Sequence, residues 1–198
     1  MNDPQSLIAQ FVAESIRVKS EFFQTQASLV AETSRKIADA LRKRQKILLF
    51  GNGGSAADAQ HIAAEFVGRF LPDRRALPAI SLATDTSALT ALGNDYGFNA
   101  VFSRQVEALG NAGDVAIGIS TSGNSPNVVE ALDAARKKGL LTIGFTGQDG
   151  GEMNGRADVL FRVPSRMTPR IQETHITLGH VLCELVDRDL FPDAYSGK

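Results

Sequence analysis

The sequence predicts an α/β fold of three layers, a five-stranded parallel sheet flanked by helices and preceded by an N-terminal helical arm. Two observations carry this expectation. From Lys46 onward, short continuous apolar runs alternate with helical segments, the pattern of parallel strands buried on both faces by crossover helices. Ahead of them, residues 4–44 show apolar residues at helical spacing and no strand-like run,. At 198 residues, the chain suits one core, or a compact domain with an added arm. The expected division is an oligomerising arm over 1–44 and a sheet domain over 45–192.

Asp3-Pro4 opens the arm, a capping acid followed by a proline in the first turn. Two amphipathic patterns follow: Leu7, Ile8, Phe11, Val12, Ser15 and Ile16, then Leu29, Val30, Ile37, Ala38 and Leu41. An arm with no sheet of its own to cover is expected to pack on a neighbouring subunit. The strands are expected at 47–50, 79–82, 115–119, 141–145 and 159–163. Helices are expected near 55–69, 86–109, 125–138 and 151–156, with a last one over about 169–190. The closing Ser196-Gly197-Lys198 reads as frayed. Ligands of such sheets bind beyond the carboxyl ends of the strands.

Composition excludes several classes. A formal net charge of -1 offers no polyanion-binding surface, and the Arg42-Lys43-Arg44 run is short enough to be a solvated helix end. The single cysteine, Cys183, rules out an intramolecular disulfide and suits a reducing compartment. It lies in an apolar helical stretch and reads as a buried filler. No secretory signal opens the chain, and no run approaches the ~18 apolar residues of a membrane span. A cytoplasmic protein without direct nucleic-acid or membrane binding is expected.

Two strands end in loops suited to an anion. In Gly51-Asn52-Gly53-Gly54-Ser55-Ala56, glycines let the backbone turn and approach a ligand at a helix start. The Gly51-x-Gly53-x-x-Ala56 spacing also meets the loose dinucleotide fingerprint, with Asp85 as the nearest acid for a ribose. No Gly-Lys-Ser/Thr follows, which excludes a Walker loop. The second loop, Ser120-Thr121-Ser122-Gly123-Asn124-Ser125-Pro126, sets four hydroxyls at a helix start. It reads either as a phosphate cradle or as a serine-rich turn in which Ser125 caps the helix.

Acid–base and metal candidates come from two helices. His61 and Glu65, four residues apart, share a face and could equally form a plain surface pair. On the last helix, Gln172 and His180 lie about 80° apart around the axis and could serve one cavity. His175 lies about 140° from His180 and serves another face. Donors of this kind suit a zinc-like ion, although glutamine is an unusual ligand.

Taken in order, Gly51–Ser55, His61 with Glu65, Gly93-Asn94-Asp95-Tyr96-Gly97-Phe98, Ser120–Ser125 and Arg170-Ile171-Gln172-Glu173 resemble the sugar isomerase (SIS) domain family, in particular its heptose-phosphate branch. The likeness runs from about residue 10 to 190. It implies an SIS-type fold and a cytoplasmic homotetramer with active sites at subunit interfaces. The implied reaction is interconversion of sedoheptulose 7-phosphate and D-glycero-D-manno-heptose 7-phosphate for lipopolysaccharide or related glycans. By resemblance Ser120, Thr121, Ser122 and Ser125 hold the phosphate, while Asn52, Gly53, Gly54, Ser55, Asn94, Asp95 and Gln172 line the substrate. Glu65 and His180 form the acid–base pair, and His61, Glu65, Gln172 and His180 bind one zinc ion. Pro169 stands where some members carry an acid. Stretches of the chain also resemble a non-catalytic branch that binds the bacterial replication initiator, and a sugar-phosphate-sensing module is the third reading. The retained Glu65 and His180 favour the enzyme.

Overall fold

The structure is a computed structural model and describes residues 3–195; Ser196-Gly197-Lys198 lie outside the described residues. The strands are β1 (Ile47–Gly51), β2 (Ala79–Ser81), β3 (Val115–Ile119), β4 (Leu141–Thr146) and β5 (Val159–Arg162). They form one parallel sheet in the order β2-β1-β3-β4-β5. The helices are α1 (Pro4–Arg42), α2 (Gly54–Val67), α3 (Thr86–Tyr96), α4 (Ser103–Leu109), α5 (Pro126–Lys137) and α6 (Thr168–Leu190).

Strand alternation divides the interior into two layers. Ile47, Leu49, Ile117, Ile143 and Phe161 turn to one face, where α1, α2 and α6 cover them. Leu48, Phe50 and Ala116 turn to the other, against α4 and α5. Successive side chains in a strand point to opposite faces, so continuous apolar runs are needed wherever both faces are dry.

The two apolar patterns at the N-terminus belong to one helix of 39 residues. No glycine or proline interrupts it after Pro4, and Glu14–Arg17–Glu21 and Glu32–Lys36 pairs bridge successive turns,. Asp3 caps it as expected, its carboxylate accepting from the Ser6 amide at 3.3 Å. From Val18 on, Phe22, Val30, Ile37 and Leu41 are buried, mainly against α6. The earlier turns leave Ile8, Phe11, Val12 and Ile16 more than half exposed.

Two expected helices differ. The segment 86–109 is broken into α3, a 3-10 turn (Phe98–Ala100) and α4, and 151–156 yields only a 3-10 turn, Gly151–Met153. Left-handed glycines explain both, Gly97 at φ 84° and Gly151 and Gly155 at 53° and 74°. A right-handed helix cannot run through that conformation.

On the inner face of α6, His175 is fully buried, its ring 5.7 Å from that of Phe145 and its Nε2 3.2 Å from the Thr146 carbonyl. Burial pushes its pKa down to about 4, against the opposing effect of the hydrogen bond it donates to the Thr146 carbonyl. The folded state keeps this imidazole neutral, while the unfolded chain protonates it below its ordinary value of 6.5. Its contribution to stability is therefore whole above pH 6.5 and falls toward pH 4, by at most about 3 kcal/mol. Asp58 acts oppositely, since burial raises its pKa to about 6. The expected result is that the stability gap between wild type and His175→Gln narrows from pH 7 to pH 4 in chemical unfolding. A gap independent of pH would contradict it.

Candidate functional site

The chain leaves β1 for β2 on one side and returns to β3 on the other, so the loops after β1 and β3 face each other across a topological switch point,. Gly51 pairs with Ile119 at the ends of these strands. A Cβ on Gly51 would lie 2.8 Å from the Ile119 carbonyl oxygen and 2.8 Å from Ser55 Cβ, so only glycine allows this approach. Ser55 is buried beneath the turn, whereas Gly53 and Gly54 are exposed. Asn52 and buried Asn127 exchange amide hydrogen bonds of 2.8 and 2.9 Å, joining the two loops. Sequence reasoning missed Asn127; an amide in the first turn of a helix directly after a Ser-Pro cap was the available signal.

The hydroxyl loop settles which way Ser125 turns. Ser125 makes no side-chain cap on α5; its Oγ lies 2.9 Å from Ser120 Oγ. Ser122 Oγ lies 3.5 Å from Ser120 Oγ and accepts from the Asn124 amide at 3.1 Å. Hydroxyls thus gather at an uncapped helix start, where backbone N–H groups and the helix dipole favour an anion. A cavity of about 300 Å³ adjoins Thr121 and Ser122, its far wall formed by Gln148, Ser165, Arg166 and Thr168. That wall lies between β4 and the start of α6 and bore no sequence motif. Asp85, the acid of the dinucleotide fingerprint, is instead the cap of α3, accepting from the Ala88 amide at 2.9 Å.

The second centre lies along the seam between α2 and α6. His61 Nε2 is 2.9 Å from His180 Nε2 and 3.4 Å from Glu65 Oε1, and one ligand atom of each residue lies within 4.8 Å of the others. His180 has its pKa lowered, first by burial and then by His61, while Glu65 opposes the shift. It is therefore a neutral imidazole at pH 7. The Phe70 ring, 5.5 Å from that of His180, closes one side. Gln172 lies two turns earlier on α6, with its amide over Gly54. His61 is seven residues beyond Gly54, about 10 Å along the helix, so the seam leads from the glycine loop past Gln172 to the carboxylate and imidazoles. Asn94 and Asp95 are exposed at the end of α3 and hydrogen-bond to each other at 2.8 Å. Among the described residues no hydrogen bond joins them to the seam. Cys183 is buried, as expected of a filler, and burial raises its thiol pKa.

The His61, Glu65 and His180 donors suit a divalent cation. Two imidazole nitrogens facing each other at 2.9 Å need only a small opening to reach the separation of about 3.3 Å that follows from tetrahedral bonds of about 2.0 Å. Two nitrogens and one carboxylate oxygen match a catalytic zinc set with a position left open.

Fold and site together define an SIS domain, and residues 10–147 match the family model described as SIS domain. The chain is 58% identical over 192 residues to a phosphoheptose isomerase of Desulfovibrio desulfuricans, covering 96% of this chain and 91% of that one. It is 59% identical over 180 residues to one from Aquifex aeolicus, covering 91% and 94%. The phosphoheptose isomerase structure from Neisseria gonorrhoeae superposes with a TM-score of 0.88 at 49% identity, over 93% of this chain and 99% of that one. The sugar isomerase domain of an RpiR transcription factor from Sphaerobacter thermophilus, 18% identical with a TM-score of 0.68, covers 96% of this chain and 94% of that one and shares the fold alone. The chain belongs to the SIS-domain family and, within it, to the phosphoheptose isomerases.

Proposed function

We propose that this chain is a ketose–aldose isomerase that interconverts sedoheptulose 7-phosphate and D-glycero-D-manno-heptose 7-phosphate, for lipopolysaccharide or another heptose-containing glycan. The carrying observation is the meeting of Glu65 with His61 and His180 from two separate helices, within 4.8 Å of one another.

The hydroxyls of Ser120, Thr121, Ser122 and Ser125 and the start of α5 hold the phosphate. Its binding energy positions the reacting carbons, with Asn52, Gly53, Gly54, Ser55 and Gln172 along the sugar. Glu65 takes the carbon-bound proton, and His180 exchanges a proton with the neighbouring oxygen as the enediol forms and collapses. His61, Glu65, Gln172 and His180 would hold one zinc ion, which when bound polarises the substrate oxygens as a Lewis acid. A liganded Glu65 is a weaker base, which gives Asp95 a place as a second proton carrier.

A homotetramer with interfacial sites is supported by what one protomer leaves uncovered. The apolar stripe Ile8, Phe11, Val12 and Ile16 on α1 is exposed, and α3 buries none of its residues. Asn94 and Asp95 would then line a neighbour's site from α3. No described helix is long and apolar enough to cross a membrane, and a cytoplasmic location is proposed. Nothing favours the initiator-binding or sugar-sensing readings, which make no use of the Glu65–His180 pair.

The test is product analysis of purified protein with sedoheptulose 7-phosphate, with and without a chelator, after light scattering has given the subunit number. The expected outcome is aldose formation that chelator suppresses and zinc restores. Binding without turnover by the metal-replete protein would sink the enzyme reading.

A further inference from the structure

We propose that Arg74 and Asp187 form a clamp that sets the spacing between Glu65 and His180, making both positioning residues for the reaction. The proposal rests on the isomerase reading. Arg74 lies in the segment between α2 and β2, and its side chain and that of Asp187 are 1% and 0% exposed. Arg74 Nε donates to both Asp187 carboxylate oxygens, at 3.0 and 3.1 Å. Nη1 donates to the carbonyls of Phe66, Gly68 and Arg75, at 2.8, 2.9 and 3.1 Å. Nη2 donates to the carbonyl of Glu65 itself, at 2.9 Å.

The last turn of any helix leaves carbonyls without partners, and at the end of α2 the guanidinium supplies them. Its charge also complements the negative end of the helix dipole. The other edge of the same planar group grips α6 at Asp187, seven residues after His180. Seven residues bring a helix back to within about 20° of the same face. One rigid fork therefore ties the backbone of the proton-abstracting residue to the helix face that carries its imidazole partner. Lysine offers a point charge on a flexible stem and cannot reproduce this arrangement.

Two variants test the clamp, Arg74→Lys and the double variant Arg74→Met/Asp187→Leu. The second removes both charges at similar volume, a change that buried ion pairs commonly tolerate without loss of stability. Each is first checked for folding by thermal unfolding. The expected result in folded protein is a kcat lowered at least about tenfold with KM for sedoheptulose 7-phosphate within about twofold. The hydroxyl loop that anchors the phosphate lies on β3 and α5, away from the clamp. The chain has 3 histidines, so imidazole NMR supplies a readout that needs no substrate. Signals of His61 and His180 are expected to shift and their mutual NOE to weaken, while His175, held by Thr146, stays in place. Unshifted His61 and His180 signals, or kcat within about twofold of wild type, in the folded variants would overturn the clamp. Wild-type turnover separately decides the isomerase reading, and the NMR comparison decides the clamp whichever way that falls.

Discussion

Glu65→Gln and His180→Gln are each expected to lower turnover by about 10²-fold or more, the usual scale for a lost acid–base group. Glutamine keeps the volume and one hydrogen-bonding oxygen at position 65 but cannot accept the substrate's carbon-bound proton. At position 180 the amide cannot exchange a proton near neutral pH. Burial and the neighbouring His61 hold His180 below its ordinary pKa, so it stays neutral further into acid. In metal-free protein the NMR titration of His180 should accordingly fall at lower pH than that of an unperturbed histidine. Steady-state kinetics of both variants, with folding checked by circular dichroism, give the comparison. Near wild-type kcat in both would remove the assignment. His61 makes a useful contrast, because it contacts the pair yet is assigned no proton transfer. If zinc is bound, His61→Gln should weaken metal retention, read by elemental analysis after dialysis.

Gly123→Ala is expected to cost about 2–4 kcal/mol of stability, from a left-handed residue that gains a Cβ and from overpacking. It is also expected to raise KM markedly. Gly123 has φ 69° at the turn of the hydroxyl loop, and an added Cβ would run into the backbone of Gly150 and to within 2.8 Å of Thr146 Oγ1. Backbone cannot yield as a side-chain tip can, so the loop must move and the Ser120–Ser125 contact with it. Inorganic phosphate as a competitive inhibitor reads the anion site directly and should bind more weakly to the variant. Unchanged stability and unchanged phosphate inhibition would mean the loop reshapes freely. Gly54→Ala is the informative comparison, since the atom its Cβ meets is the flexible end of Gln172 at 2.5 Å.

Much of the architecture could be read from local pattern because the physics behind it is local. A strand covered by helices on both faces must be apolar throughout, and runs such as Ile47–Phe50 and Val115–Ile119 meet that demand directly. Helix starts announced themselves by Asp3-Pro4 and Ser125-Pro126, and both loops by their glycines and hydroxyls. Interruptions were harder to see. Gly97, Gly151 and Gly155 look like any other glycine until the chain commits them to positive φ. Conversely, the two apolar patterns of the arm lie on one unbroken helix, the second buried mainly against α6 and the first left exposed.

The amino-acid sequence by itself determined the layered α/β class, the two glycine- and hydroxyl-rich loops at strand ends and the residue types able to move protons, since these depend on periodicity and side-chain chemistry within a few residues. Only the tertiary structure decided that His61 and Glu65 meet His180, that Ser125 turns to Ser120 instead of capping its helix, and that Arg74 bridges α2 and α6. Those outcomes depend on how two helices cross and which strands become neighbours. The His61–His180 and Arg74–Asp187 contacts join segments more than a hundred residues apart in the chain, and Ser120 and Ser125, though five apart, meet only through the way their loop folds, so no local pattern encodes these contacts.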